Sequence, residues 1–581
     1  GYSDAVSGAK QIKMLGLAGV YSQLLTENIP SIRGLATAYG LNYVPGSWME
    51  SIQISKGTAS VINGYESLTG QINIELKKPQ KSEKLFVNLY GNSKLKSEAN
   101  INAAIKINEK WSTMLLLHGS RFNNPFDHNG DGFIDKPLLS QYNIINRWSY
   151  ETEKMHSQFG INMLQESRQG GQKAYFDAED NSGLYGIDVD TRRAQLFAKT
   201  GFRFHRPATS LGLMASYSFN EQDSYYGNNR YDANQNSIYA NAIFQSYIGN
   251  TNHKYSTGIS YQYDDYQEQL NHTSFDRTES VPGVFAQYTY SLPEKVSVIA
   301  GIRSDFNSKY GTLLTPRLHF KYHLNHQTTL RASAGKGYRS ANTFIEHTGI
   351  LASSRSFVFH EDFNIEEAWN YGVNITRKFH LKKHNEITFT VDFYRTDFVN
   401  QVIVDTEKSS REVHFYNLNG KSYSNSFQTE VSAKLLGQME IIAAFRFNDV
   451  KTTINDKLME KPLVNRYKGL LSASWFTRYK KWQIDVTGQL NGQKRLPETS
   501  NNPVHYQKDT FSPNYFILHA QLTRRFKHFE LYAGGENLTD FTQDDPIIAT
   551  DNPFGDYFDA SMVWGPISGR MIYAGIRITI E

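Results

Sequence analysis

The chain has 581 residues, a formal net charge of only +4 and no cysteine. This excludes a disulfide framework, a thiolate metal site, a thiol nucleophile and the dense positive field of a nucleic-acid binder. Mean hydropathy is −0.53 and no apolar run reaches the ~18 residues of a membrane helix. The 36 Tyr and 35 Phe are nevertheless the surplus expected where aromatic girdles flank a membrane barrel, whose strands are apolar only at alternate positions.

Gly1 is not an initiator methionine, and the expectation is that a leader, and more, has been removed. The stretch Ile52 to Lys77, IQISKGTASVINGYESLTGQINIELK, reads as a short strand, a Gly-punctuated connection and a second short strand. Residues 1–80 are expected to form a small folded element. From residue 82 to 581 no Pro-rich, Gly/Ser-rich or like-charge run marks a linker, and period-two alternation takes over. In Arg317 to Leu324, Leu318, Phe320, Tyr322 and Leu324 alternate with Arg317, His319, Lys321 and His323. From Tyr423 to Leu435 the odd positions are mostly apolar and the even ones polar. Ile572, Ala574, Ile576, Ile578 and Ile580 share one face of the final segment. One face is dry and the other wet.

About twenty-two such segments run from Leu85 to Ile580, an even number as in single-chain outer-membrane barrels. Their connections alternate in length. Short ones include 108–110, 151–154, 250–253, 325–327 and 479–481; long ones include 123–137, 172–191, 341–364, 498–514 and 544–566. A soluble sandwich shares the alternation but has no reason to collect its long loops at one end. The reading is an all-β transmembrane fold, a 22-stranded antiparallel barrel with short periplasmic turns and large outer loops. A barrel that wide cannot be filled by its own side chains, so its lumen must be plugged or leak. The first 80 residues are the expected plug.

One loop carries a metal-binding pattern. Asp127, Asn129, Asp131 and Asp135 fall at relative positions 1, 3, 5 and 9 with Gly132 at 6, as in the first part of an EF-hand loop. Phe133 would add its backbone carbonyl to a structural Ca²⁺. Leu138 occupies position 12 in place of the bidentate Glu, and an acidic, Gly-rich surface loop is the plain alternative. On the long loop 341–364, His347 and His360, with Glu346, Glu361 and Asp362, are candidates for a metal-bearing ligand, set against an ordinary exposed polar loop. No Ser–His–Asp set or carboxylate pair has a spacing that compels catalysis, so no enzyme activity is expected.

The run Met49 to Ile74, MESIQISKGTASVINGYESLTGQINI, resembles the plug signature I-E-x-I-E-V-x-(K/R)-G-P-x-S-x-x-Y-G-x-x-x-x-x-G-x-I-N-I of TonB-dependent outer-membrane receptors. Leu330 to Arg339, LRASAGKGYR, is similar to that family's mid-barrel strand ending G-x-G-(F/Y)-R. Gly535 to Asp540, GENLTD, is similar to its N-L-(F/T)-(D/N) segment, and Asp551 to Tyr573 looks most like the receptors of the Bacteroidetes. Ile12 to Gly16 and Leu25 to Pro30 depart from the family's I-R-G and I-D-G-x-P, and Glu581 replaces its terminal aromatic. The resemblance implies that the N-terminal part of the plug, with its TonB-contacting segment, is absent here.

It further implies active import of a scarce ligand across a bacterial outer membrane, driven by TonB–ExbB–ExbD. The ligand would be an iron–siderophore chelate, haem or cobalamin, with copper, oligosaccharide or peptide as alternatives. A surface lipoprotein is a candidate partner. A surface binding or assembly scaffold and a passive pore are the rival readings. By the same analogy Ile32 to Tyr43 faces outward, so that Arg33, Thr37, Tyr39 and Asn42 would meet the ligand. Arg33 paired with the barrel wall is the alternative.

Overall fold

The computed structural model describes residues 1–381 and 385–581. Twenty-two long antiparallel strands close into a barrel. The last, Met571–Ile580, pairs with the first, Leu85–Asn92, with Ile580 opposite Leu85. Closure leaves no edge whose N–H and C=O groups would be unpaired in lipid. Gly186–Arg203, Ser210–Tyr226, Asn229–Tyr247 and His253–Leu270 have 17 to 19 residues. At about 3.3 Å per residue they overreach the ~25 Å apolar band of such barrels, so their upper parts stand clear of the membrane.

Alternation decides which side chains meet lipid. Leu318 is 48% exposed on the outside, whereas its neighbour Arg317 is 3% exposed and points inward. Ile238, Ile259, Val284 and Ile302 continue the outer apolar band across successive strands, a patch that a water-soluble surface does not carry. Beside the short turns, Trp111 packs with Trp148 and Tyr150, Phe204 with Phe244, and Phe526 with Phe529, forming one aromatic girdle.

Residues preceding the barrel fold inside it. Ser22–Thr26, Ile29–Pro30, Met49–Lys56 and Gly70–Leu76 make a four-stranded sheet, so the two strands expected around Ile52 to Lys77 are present. Wall side chains from around the bore bond to this inner segment. Asn143 donates to the Tyr43 carbonyl at 2.9 Å, Arg193 to Ser31 at 2.6 Å, Asn241 to Ile62 at 3.0 Å and Ser424 to Leu15 at 2.5 Å. Only an element enclosed by the barrel meets that many strands. The G-K-G-Y-R strand shows why it lacks side chains there: a Cβ on Gly337 would lie 2.9 Å from the Ser67 carbonyl oxygen.

Candidate functional site

The outward end of the inner segment is built from two single-turn 3₁₀ helices, Gly34–Thr37 and Gly40–Asn42. Gly34 has φ +57°, and a Cβ there would fall 2.3 Å from the Gln235 amide oxygen. That oxygen accepts the Leu35 N–H at 2.9 Å. The apex is thereby held flush against the wall.

Arg33, expected to meet a ligand or the wall, meets the wall. Its guanidinium spans both Asp264 oxygens at 2.6 Å and Glu66 at 2.8 Å. Asp264 is 2% exposed and also accepts from Ser237 at 2.5 Å. Thr37 lines a narrow cavity beside this pair, together with Arg33, Glu66, Glu279, Arg339 and Glu346. Asn42 is half-buried and its carbonyl accepts from Gln141 at 3.0 Å. Tyr39 is fully buried, its hydroxyl 3.2 Å from that of Tyr226 and its ring 4.8 Å from the Arg168 guanidinium. Burial, then the Asp4 carboxylate, push its phenol up to about 12. In this arrangement Tyr39 offers no face to a ligand, which corrects its expected place among the residues that meet one.

What covers Tyr39 is a roof of outer loops. Phe133, Tyr185, Phe344, Leu351, Ile547 and Phe558 form one apolar cluster with Leu35, Ala36 and Tyr39. Backbone bonds stitch it down: Ala5 N–H donates to Ala560 O at 2.9 Å and Ala560 N–H to Ala352 O at 3.1 Å. Part of the roof is a three-stranded sheet of Ser356–Phe359, Glu412–Asn417 and Val402–Asp405. The sequence reading places Ser356 to Phe359 in the long loop 341–364, although Ser-Phe-Val-Phe is rich in the aromatic and β-branched residues of strands.

His347 and His360 lie on this roof but do not come together. The His347 ring packs 6.5 Å from that of Phe415, and burial followed by the Lys461 and Arg339 cations pushes it down to about 4. His360 Nε2 lies 2.9 Å from His414 Nδ1, and His414 Nε2 lies 3.2 Å from Glu412. His414, the partner that the loop at 341–364 could not reveal, comes from the next long connection. Glu346 is bound to Arg339, and Glu361 accepts the Asn417 N–H at 3.0 Å. Among the described residues no three His, Asp or Glu side chains are gathered to hold a metal ion.

The Asp127 to Asp135 loop folds on its own backbone. Asp127 accepts the N–H groups of Gly130 at 2.7 Å and Gly132 at 3.0 Å; Asp131 accepts that of Phe133 at 2.9 Å and the Asn129 amide at 2.8 Å. Gly130 and Gly132 have φ of +74° and +85°. The Phe133 ring is buried, stacked 5.7 Å from Phe558. Asp135 is 4% exposed; Oδ1 accepts the His128 N–H at 3.1 Å, and Oδ2 has no partner. Burial, with Asp127 and Asp131 nearby, pushes its carboxyl up to about 6.

Comparison with known proteins agrees with this architecture. The family description "TonB dependent receptor-like, beta-barrel" matches residues 112–538, well over half of the chain. The vitamin B12 transporter BtuB of Vibrio cholerae is 21% identical over 358 residues, and the match spans 58% of this chain and 55% of that protein. The chain thus spans about half the length of this curated relative. A variant of the ferric enterobactin receptor PfeA from Pseudomonas aeruginosa superposes with a TM-score of 0.79 at 13% identity, covering 100% of this chain and 93% of that one. The siderophore receptor PirA from Acinetobacter baumannii gives 0.77 at 14% identity, covering 100% and 94%. The copper transporter OprC gives 0.75 at 12% identity, covering 100% and 96%. With its closed 22-stranded wall and the family match along most of that wall, this chain belongs to the TonB-dependent receptor family of outer-membrane barrels.

Proposed function

We propose that the protein is an active importer that carries a scarce ligand across the outer membrane. Residues 1–80 serve as its plug and 82–581 as the barrel. The observation that carries this reading is the bore itself. It is occupied by an element bound to the wall through buried ion pairs, Arg33 with Asp264 and Glu27 with Arg147. A passive pore has no use for such an obstruction. A transporter that opens only when work is done on it needs one. Relatives named for vitamin B12, siderophores and copper make a metal chelate the favoured ligand class, and TonB–ExbB–ExbD the source of work. The Bacteroidetes-like segment Asp551 to Tyr573 leaves room for a surface lipoprotein partner. Thr37, beside the Arg33 cavity, is the apex residue best placed to meet ligand once the roof parts, and no covalent chemistry is required.

A deletion strain grown on single iron, cobalamin and copper sources tests the proposal. Growth should fail on one source, and the same failure should follow loss of TonB in the intact strain. Steady ion conductance of the purified protein without denaturant would instead identify a pore.

For the Asp127 to Asp135 loop we propose a structural Ca²⁺, on which Asp127, Asn129, Asp131, Asp135 and the Phe133 carbonyl, not gathered around one point in the arrangement described, would converge. Support comes from the buried, unpartnered Oδ2 of Asp135, since an orphaned buried oxygen is costly unless something binds it. The sign of the pH effect follows. A carboxyl raised from 3.8 to about 6 favours the folded loop below 3.8, and that benefit is lost as pH rises through 6. In EDTA the loop should therefore become more sensitive to protease above pH 6, and Ca²⁺ should restore its protection. Asp135→Asn should remove both the pH dependence and the response to Ca²⁺. Calcium uptake unchanged in that variant, measured by calorimetry, rejects the site.

A further inference from the structure

Most cations on one side of the bore have a carboxylate partner, Arg193 and Arg317 bonding instead to carbonyls of the inner segment, whereas those on the other side do not. Along the wall that grips the inner segment, Arg147 and Lys199 sit on Glu27, Arg168 on Glu166, Arg303 on Asp305, and Arg339 on Glu346 and Glu366. The strands Met439–Ile454, Tyr467–Phe476 and Trp482–Asn491 differ. Arg446 lies directly opposite Lys468, and Lys468 directly opposite Asn491. Their neighbours Phe445, Phe447 and Leu471 are exposed on the lipid side, so alternation turns this row inward. Two like charges facing each other across a ladder destabilise it unless something lies between them.

Among the described residues no carboxylate pairs with Arg446 or Lys468: Glu430, diagonal to Arg446 on the adjacent ladder, accepts from Gln428 at 3.3 Å instead. The Glu460 and Glu407 carboxylates are already taken by Arg466 and Arg495. Lys13 of the inner segment finds only the Leu463 carbonyl, at 2.5 Å. Lys494, just past the end of its strand and nine-tenths buried, finds only the Trp564 carbonyl. Two donors in the row have no acceptor at all: Arg446 Nε and Asn491 Nδ2, the latter on a residue 2% exposed. Buried cations and orphaned donors are both expensive, and one group removes both penalties, an oxyanion.

We propose that this face of the bore is an oxyanion site, in which Arg446, Lys468 and Asn491, with Lys13 and Lys494, hold a carboxylate or phosphate group of the imported ligand. The inference rests on the import reading and narrows it to anionic cargo. Burial, then Lys13 and Lys468, push the Lys494 amine down to about 6, so it is largely neutral at pH 7. An anion beside it restores the ammonium form, and binding at neutral pH takes up a proton.

Calorimetric titration of the full-length protein in detergent, with inorganic phosphate in one arm and citrate in the other, tests the site. Saturable binding in either arm is expected, and the arm that binds more tightly identifies the oxyanion preferred. Its heat should vary with the ionisation enthalpy of the buffer. Lys468→Gln should weaken binding about tenfold or more, and Lys494→Gln should abolish the proton uptake, with unfolding temperature as the control for folding. Absence of binding in the unaltered protein overturns the proposal, including the case in which an acidic side chain of the same chain already fills the row. Binding that survives Lys468→Gln and Lys494→Gln unchanged also overturns it. The import reading fails separately, when ligand uptake by cells persists without TonB.

Discussion

Replacing Glu27 by alanine is expected to loosen the inner segment by about 3–5 kcal/mol, the scale for removing one partner of a buried ion pair. Glu27 accepts Arg147 at 3.0 Å, Lys199 at 2.6 Å and the Leu76 N–H at 3.1 Å. Arg147 is 0% exposed, so without Glu27 its cation keeps only the Lys77 carbonyl and the Gln158 amide oxygen. The chain's lack of cysteine permits a single reporter: Ser51→Cys, on the exposed strand of the inner sheet, labelled with a fluorophore. In urea, the label of Glu27→Ala should report release well before the barrel unfolds. A release midpoint unmoved by the substitution would show that the pair does not hold the segment. Glu27→Ala combined with Arg147→Met, which removes the stranded charge, should recover part of the loss.

The same residue sets an acid limit. Burial alone would raise the Glu27 carboxyl, but Arg147 and Lys199 outweigh it and hold it at about 2 against 4.5 in a free chain. A depressed carboxyl stabilises the fold fully above 4.5 and stops doing so as pH falls toward 2. Release of the labelled segment should thus be flat from pH 7 to 4.5 and become easier below, with Glu27→Ala insensitive over that lower range.

The barrel was legible in the sequence because lipid imposes a rule on every strand. Leu318 and Arg317 are told apart by parity alone, and the alternation of short and long connections fixes which end faces outward. The two short strands around Gly57 and Gly70 were legible for a similar reason, through local glycine punctuation and the motif it carries. The site was less so. Whether Arg33 meets a ligand or Asp264 depends on a contact across 231 positions, which no local pattern encodes. Tyr39 looks like an exposed aromatic until Phe344, Leu351 and Phe558 close over it from two distant loops. His360 finds its partner 54 residues away. The row Arg446–Lys468–Asn491 is invisible in sequence because it is created by register, and a shift of one residue would turn Lys468 toward lipid.

Arg317→Ala should also loosen the inner segment, by a smaller amount than Glu27→Ala and by a different route. The Arg317 guanidinium donates to four of the inner segment's carbonyls: Ala59 at 3.1 Å, Ser60 at 3.0 Å, Tyr65 at 3.3 Å and Ser67 at 3.4 Å. These carbonyls belong to the turn-rich connection between the two inner strands, where Ser60 O also accepts the Asn63 N–H at 3.3 Å and Tyr65 O the Tyr338 N–H at 3.0 Å, while Ala59 O and Ser67 O rely on Arg317. Truncation leaves the Ala59 and Ser67 carbonyls without a donor at about 1 kcal/mol or more each, for a loss of about 2–3 kcal/mol. Arg317→Lys should recover less than half, because an ammonium has no planar fork to span acceptors that far apart. Arg317→Met, which keeps bulk without donors, should behave like alanine if hydrogen bonds are what matter and like wild type if packing is. Arg147 and Arg317 stand on strands far apart around the wall, so Glu27→Ala and Arg317→Ala should add within about 0.5 kcal/mol. Clear non-additivity in the urea release of the labelled protein would mean that the segment leaves as one rigid body, with neither grip acting alone.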